Sequence, residues 1–105
     1  MEIKSHTDYM CGYVKEKTLR HFKIRVIHLC NDRVSVLFLE TSPYGMWIGY
    51  YKWWFIDEFL KVYELFETDD QTPVEIIDTL FIDGERQFRE NYLRYRNDPD
   101  NKKKT

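Results

Sequence analysis

The sequence predicts an α+β fold, in which an antiparallel sheet of three to five strands carries a C-terminal α-helix packed on one face. Two runs rich in β-branched residues, 21–30 and 33–41, are separated only by the turn signal Asn31-Asp32, which is typical of a β-hairpin. The last segment, 72–96, repeats apolar residues at gaps of three and four, which is the period of an amphipathic helix. Strands followed by one long helix indicate the α+β class.

The length of 105 residues corresponds to one domain. We place this domain at residues 1–96 and predict that the charged tail, 97–105, is disordered. The first twenty residues lack the apolar core of a signal peptide, and charged residues interrupt the longest apolar stretch. These features predict a soluble, cytoplasmic protein that does not bind a membrane.

The first two strands are predicted from their alternation. Residues 9–17, YMCGYVKEK, form the first, in which Gly12 indicates a bulge or a close approach to the backbone. In the second strand, HFKIRVIHLC, alternate residues share one face, and Ile27 and Leu29 begin to fill the other. The shared face would consist of Phe22, Ile24, Val26, His28 and Cys30.

The segment MWIGYYKWWFI, residues 46–56, follows the turn SPYG and holds six aromatic residues with one charge, Lys52. As a strand it has no polar face, which is typical of a strand that is covered on both sides. We expect one face to pack against the C-terminal helix and to supply most of the core. This face consists of Ile48, Tyr50, Trp54 and Ile56. The opposite face consists of Trp47, Tyr51, Trp53 and Phe55. It then has to be closed by sheet curvature, by residues 57–67 or by a partner.

Residues 57–67, DEFLKVYELFE, fit both the spacing of a helix and the alternation of a strand. A short helix is favoured, because Asp57 and Glu58 suit the positive end of a first helical turn.

The C-terminal helix has an N-terminal signal in the sequence TPVE. Thr72 is suited to cap the helix, Pro73 to occupy its first position, and Glu75 to complete a capping box. Gly84 either permits close packing on the sheet or breaks the helix. One continuous helix is favoured, because the apolar stripe keeps its phase across the glycine. That stripe consists of Val74, Ile77, Phe81, Gly84, Phe88, Tyr92 and Tyr95.

The portion GYVK…KIRVIHLCNDRVSVLFLE resembles the strand rhythm of SH3- and Tudor-type barrels. The resemblance implies a strongly curled sheet. It covers less than a third of the chain and has no diagnostic motif, so we transfer no binding residue from it.

The net charge of −2 conceals an uneven distribution. Residues 57–83 carry nine acidic residues and one lysine, whereas the segments before and after them are each net +3. A solvated acidic loop and helix start account for this pattern, and the same acids would repel a polyanion and suit a basic protein surface. We therefore predict a protein partner or a homo-oligomer, with nucleic acid as a secondary possibility.

The sequence contains no recognised catalytic motif and no glycine-rich phosphate loop. His28 and Cys30 would belong to a zinc site only if Cys11 and His6 completed it, which the spacing does not indicate. We predict that the protein is not an enzyme and binds neither metal nor cofactor. The two cysteines fit reduced thiols, and a single disulfide between them is compatible with the sequence.

The predicted function is that of a small non-enzymatic binding protein, such as an inhibitor, an immunity-type protein or an accessory protein. A second apolar stripe, interrupted by arginines, lies on the C-terminal helix away from the first, and this mixture is typical of protein interfaces. The predicted partner-binding residues are Trp47, Tyr51, Trp53, Ile82, Arg86, Arg89 and Leu93. The alternative is a single-stranded nucleic-acid binder that stacks bases on the aromatic strand, and the third possibility is an enzyme with an unrecognised site.

Overall fold

The structure is a computed structural model that describes residues 2–96, apart from the side chains of residues 92, 95 and 96. The tail predicted at 97–105 lies outside the described residues. The elements in chain order are β1 Thr7–Tyr13, β2 Phe22–Cys30, β3 Arg33–Phe38, β4 Tyr51–Phe55, α1 Ile56–Val62, β5 Tyr63–Glu67 and α2 Val74–Arg96.

The five strands form one antiparallel sheet in the order β4-β3-β2-β1-β5. The α+β class predicted from the sequence is confirmed. The sheet is strongly curled, because the rings of Trp54 on β4 and Tyr63 on β5 lie 6.1 Å apart although these strands are opposite edges of the sheet. Four strand spacings in a flat sheet would separate the same edges by about 19 Å. The two edges do not pair among the described residues, so the sheet remains open.

The inner face of the curled sheet holds the core. Alternate residues of β1, β2 and β3 point into it, and Phe59 of α1 closes it where α1 connects the two edge strands. Trp54 packs on this core against Phe38 and Phe59. The fully or nearly fully buried members of the core are Tyr9, Cys11, Tyr13, Phe22, Ile24, Val26, Val34, Val36, Phe38, Phe59 and Leu65.

A β-bulge in β2 corrects the predicted alternation of that strand. The register with β3 shifts between Val26 and His28, so the phase of the strand changes there. Leu29 packs against the core, whereas His28 and Cys30 are exposed. The prediction that five alternate residues of β2 share one face was therefore correct for Phe22, Ile24 and Val26 and wrong for the last two.

The helix α2 lies across the outer face of the sheet, and this corrects its predicted position. Direct strand partners form a transverse row on that face, Asp8–Arg25–Leu37–Tyr51, which crosses β1, β2, β3 and β4. At one end of the row Asp8 binds the segment that leads into α2, and at the other end Tyr51 contacts Phe81 with ring centroids 5.1 Å apart. Leu37, between them, is 0% exposed. The helix thus covers the Tyr51 face, and the Trp54 face is closed by the curled sheet and α1.

A buried ionic network fixes the start of α2 on the sheet. Asp8 is fully buried and accepts hydrogen bonds from the Arg25 guanidinium at 3.0 Å and from the Thr72 backbone N–H at 2.5 Å. The Gln71 side chain accepts from the Asp8 N–H and donates to the Asp8 carbonyl. The helix begins at Val74, one residue later than expected, and the Pro73 carbonyl accepts its first bonds. Among the described contacts the Thr72 hydroxyl makes no capping bond, so the predicted capping box is wrong.

Two other segments differ from their predicted extent. The strand expected at 46–56 is regular only over β4, because Gly49 takes a φ of +89° and the Tyr50 N–H donates to the Trp47 carbonyl in a turn. Residues 57–67 contain both of the structures that their pattern fitted, since α1 ends at Val62 and β5 begins at the next residue.

Candidate protein-binding site

One edge of β4 pairs with no other strand among residues 2–96. The Phe38 N–H donates to the Tyr50 carbonyl at 2.9 Å, and the Ile56 N–H donates to the Asp32 carbonyl at 2.7 Å. Hydrogen-bonded positions alternate along an antiparallel pair. The backbone N–H and C=O groups of the even-numbered residues between these two bonds are therefore directed towards β3. The backbone N–H and C=O groups of the odd-numbered residues are therefore directed away from the sheet, and these residues are Tyr51, Trp53 and Phe55.

The same three residues carry exposed aromatic side chains on the outer face of the sheet. Trp53 is 49% exposed, and its ring meets that of Phe55 edge-on with centroids 5.3 Å apart. The Arg33 guanidinium lies over the Trp53 ring, 4.8 Å from its centroid, which is within the range of a cation–π interaction. We call the free backbone groups and side chains of Tyr51, Trp53 and Phe55 the edge surface.

The other edge strand, β5, is protected against pairing. It carries two glutamates in five residues, Glu64 and Glu67, and Glu64 forms a salt bridge with Lys17. Charged residues on an edge disfavour the addition of another strand, whereas β4 has a single charge, Lys52. The Lys52 ammonium lies over the Trp54 ring at 5.2 Å from its centroid. The unprotected edge of this sheet is therefore β4.

The helix α2 makes a close backbone crossing with the turn that leads into β4. A Cβ on Gly84 would overlap the carbonyl oxygen of Gly49, and a Cβ on Gly49 would lie 2.8 Å from the Leu80 carbonyl oxygen. Both positions thus require glycine, and the sequence-based expectation of close packing at Gly84 is confirmed. Beyond the crossing, Phe88 is 63% exposed although it continues the stripe that is covered at Phe81.

A cleft of about 510 Å³ lies in the angle between α2 and the segment that leads into β4. Aromatic and aliphatic side chains from both elements line it, together with one carboxylate, that of Glu85. The Trp47 indole N–H is buried and has no hydrogen-bond partner among the described residues. The lining residues are Trp47, Gly49, Tyr50, Tyr51, Phe81, Ile82, Gly84, Glu85 and Phe88.

The structure brings together part of the predicted partner-binding set. Trp47, Tyr51 and Ile82 meet at the cleft, and Trp53 lies next to them on β4. The other predicted helix residues, Arg86, Arg89 and Leu93, are exposed and do not line the cleft. Arg86 pairs with Asp83 at 2.9 Å and Arg89 with Glu85 at 2.7 Å, within the helix, and Leu93 lies farther along it.

Sequence reasoning placed Phe55 on the face of Tyr51 and Trp53 but left it out of the partner-binding set, and it missed Phe88 and Arg33 as site residues. Phe88 was assigned to the core stripe, because the sequence does not reveal where the sheet ends beneath the helix.

A second cavity, of about 620 Å³, lies at the other end of the inner face. Its walls include Tyr13, Tyr44 and Tyr63, and the Tyr13 ring meets the Tyr44 ring edge-on with centroids 5.0 Å apart. The hydrogen bond to the Glu16 carboxylate raises the pKa of Tyr44, and burial raises the pKa of Tyr63. Because its hydroxyl donates to the Glu16 carboxylate, Tyr44 connects the loop before β4 to the loop after β1. Lys15 and Lys61 also line the cavity.

Comparisons of the chain with protein-family models, with curated proteins and with solved structures found no match. Within residues 2–96, no three His, Cys, Asp or Glu side chains are grouped so that they could hold a metal ion. None of the helices in this range combines the length and the apolar character needed to cross a bilayer.

Proposed function

We propose that this chain is a small binding protein without catalytic activity, which acts by contact with another protein chain through the edge surface and the adjoining cleft. The observation that carries the proposal is the combination of an unpaired strand edge with exposed aromatic residues on the same three positions. Natural sheets normally protect their edges, and β5 follows that rule whereas β4 does not.

Strand addition is the binding mode that fits this edge. A protein segment in extended conformation would hydrogen-bond to the free groups of Tyr51, Trp53 and Phe55 and lay alternate side chains against their rings. Aromatic residues with arginine nearby are enriched at the centres of protein interfaces, as Trp53 and Arg33 are arranged here.

One observation favours the alternative of single-stranded nucleic acid. Arg33 lies over Trp53 and Lys52 lies over Trp54, which places cations beside rings that could stack on bases. Against it, Arg86 and Arg89 are paired with acids on their own helix, and residues 57–83 are strongly acidic. We therefore rank protein contact first.

Site-specific photo-cross-linking in living cells tests the ranking. A photoreactive phenylalanine analogue replaces Trp53 in one full-length variant and Ile76 in the other. Ile76 is the matched control, because it is also 49% exposed but lies at the start of α2, away from the edge surface.

We expect a protein adduct at position 53, resistant to nuclease, that exceeds the yield at position 76. An adduct at position 53 that disappears after nuclease treatment would support the nucleic-acid alternative. Equal yields at the two positions, or no adduct at position 53, would contradict contact through the edge surface.

A further inference from the structure

We propose that the edge surface binds a second copy of this chain, with the two β4 strands pairing antiparallel about a twofold axis that passes between the two Trp53 residues. This inference rests on the proposed function and names the partner. It follows from the backbone register of β4, from the self-complementary sequence of that strand, and from the direction in which α2 leaves the sheet.

The backbone register permits a symmetric pair centred on Trp53. The outward groups of β4 belong to the odd-numbered residues, so Trp53 can exchange two hydrogen bonds with the partner's Trp53. Tyr51 then lies opposite the partner's Phe55, which is also an outward position, and exchanges two more. The twofold axis repeats that pair, so all three outward positions of each strand would be satisfied.

The side chains of YKWWF suit this register on both faces of the sheet. On the outer face Trp53 meets its own copy, and Tyr51 meets the partner's Phe55, so every directly opposed pair is aromatic. On the inner face Lys52 lies opposite the partner's Trp54, which is a cation–π pairing. No two like charges are directly opposed, whereas such opposition would destabilise the ladder.

The path of α2 supplies a second and independent argument. The helix follows the transverse row Asp8–Arg25–Leu37–Tyr51, and its Gly84 crosses the chain at Gly49, in the turn that leads into β4. Residues 85–96 continue in helical conformation past this crossing, and at 1.5 Å per residue they extend about 18 Å, which is nearly four strand spacings. Within the described part of a single copy, no strand lies beyond β4 for this half of the helix to cover.

In the paired arrangement the row continues into the partner sheet. The position next to Tyr51 is the partner's Phe55, and the next is the partner's Arg33, its direct neighbour on β3. Phe55, Arg33 and Phe88 are all exposed in a single copy. The twofold axis is perpendicular to the sheet, so both helices lie on the same side of it, and the exposed half of each α2 covers the exposed outer face of the other copy.

Cysteine variants of the full chain test the register. They are made with Cys30→Ser, because Cys30 is exposed, whereas Cys11 is buried. Trp53→Cys should form a disulfide-linked dimer under mild oxidation, because directly opposed Cα atoms lie about 5.5 Å apart, within the range of a disulfide. Tyr51→Cys alone should not cross-link, because it is about 13 Å from its own copy in this register. The combination of Tyr51→Cys with Phe55→Cys should cross-link again.

Sedimentation of purified protein tests the dimer itself. We expect the unmodified chain to sediment at twice 13.0 kDa and Trp53→Lys, which opposes two ammonium groups, at 13.0 kDa with an unchanged circular dichroism spectrum. Ile76→Lys is the matched control and should remain dimeric.

A monomeric unmodified chain, or equal cross-linking of the Trp53→Cys and Tyr51→Cys variants, would overturn the proposal. Adducts to a different protein at position 53 in cells, together with a monomeric purified chain, would refute the second copy and leave the proposed function standing.

Discussion

The substitution Asp8→Asn tests what holds α2 on the sheet. Asp8 lies at the far end of the transverse row from β4 and is 0% exposed. Its two carboxylate oxygens accept from the Arg25 guanidinium and from the Thr72 N–H, and Lys23 lies 3.5 Å away. Asparagine keeps the shape of the side chain but replaces one acceptor with an N–H₂ donor and removes the charge.

The expected cost of Asp8→Asn is large because three donors face this side chain. Arg25 is 8% exposed, so its guanidinium would remain in a largely buried position without an anion. Breaking a buried ion pair by removing one partner typically costs about 3–5 kcal/mol. The new amide would also direct a donor at either Arg25 or Thr72, which costs about 1–3 kcal/mol for an unsatisfied buried group and overlaps with the first term. We therefore expect a loss of about 3–5 kcal/mol in the free energy of unfolding.

Urea denaturation followed by tryptophan fluorescence measures this loss. The matched control is Asp70→Asn, because Asp70 also pairs with Lys23, at 3.2 Å, but its side chain is exposed. An exposed pair contributes about 0–1 kcal/mol, so Asp70→Asn should barely move the midpoint. If Asp8→Asn costs no more than Asp70→Asn, the network does not anchor the helix and the reasoning is wrong.

Three further predictions concern packing and thiol chemistry. Gly84→Ala should destabilise the protein although alanine favours a helix by about 1 kcal/mol, because the new Cβ would overlap the Gly49 carbonyl oxygen; an unchanged or raised urea midpoint would contradict the close crossing. Trp54→Ala should cost the folded monomer about 3–5 kcal/mol, since the ring packs on Phe38 and Phe59, whereas Trp53→Ala should cost the monomer less than about 1 kcal/mol; equal depression of the thermal melts in dilute, monomeric samples would show that both faces are core. A thiol reagent at pH 8 should modify Cys30 at once and Cys11 only in denaturant, because burial raises the pKa of the Cys11 thiol; two rapid equivalents in the native protein would refute this.

Local signals in the sequence predicted the parts of the fold that local chemistry determines. The Asn31-Asp32 turn joins β2 to β3 as expected, with Asn31 at a φ of +53°, a conformation that asparagine tolerates. The apolar stripe kept its phase across Gly84, and α2 is continuous there.

Tertiary contacts determine the features that the sequence did not reveal. The aromatic strand is apolar on both faces, so its alternation could not indicate which face meets the helix. The Thr72 N–H is bound by Asp8, which lies 64 residues away in the chain, and no local pattern encodes that contact. The bulge in β2 inserts a residue without a glycine or proline to mark it, and it reverses the expected orientation of His28 and Cys30.

The candidate site was predicted only in part, because some of its features also depend on tertiary contacts. Tyr51 and Trp53 were found because a two-residue repeat does not depend on which face is covered. Phe88 was missed because a helical stripe has the same pattern whether or not a sheet lies beneath it. The extent of the sheet under α2 depends on the strand order, which places β4 at an edge.

The transverse row connects the stability of the helix anchor to the proposed interface. Asp8 holds the start of α2 over β1 and β2, and Gly84 fixes where the helix crosses Gly49, in the turn before β4. Only a helix held at both points is directed past the edge. If the start of α2 were released from the sheet, its C-terminal half would no longer be held over the partner's Phe55. Asp8→Asn should therefore weaken dimerisation even in conditions where the sheet stays folded, although Asp8 is three strands from β4. A substitution that acts only through the local contacts of β4, such as Trp53→Lys, would weaken dimerisation without loosening the helix. Comparing the two separates the contribution of the strand edge from that of the overlying helix.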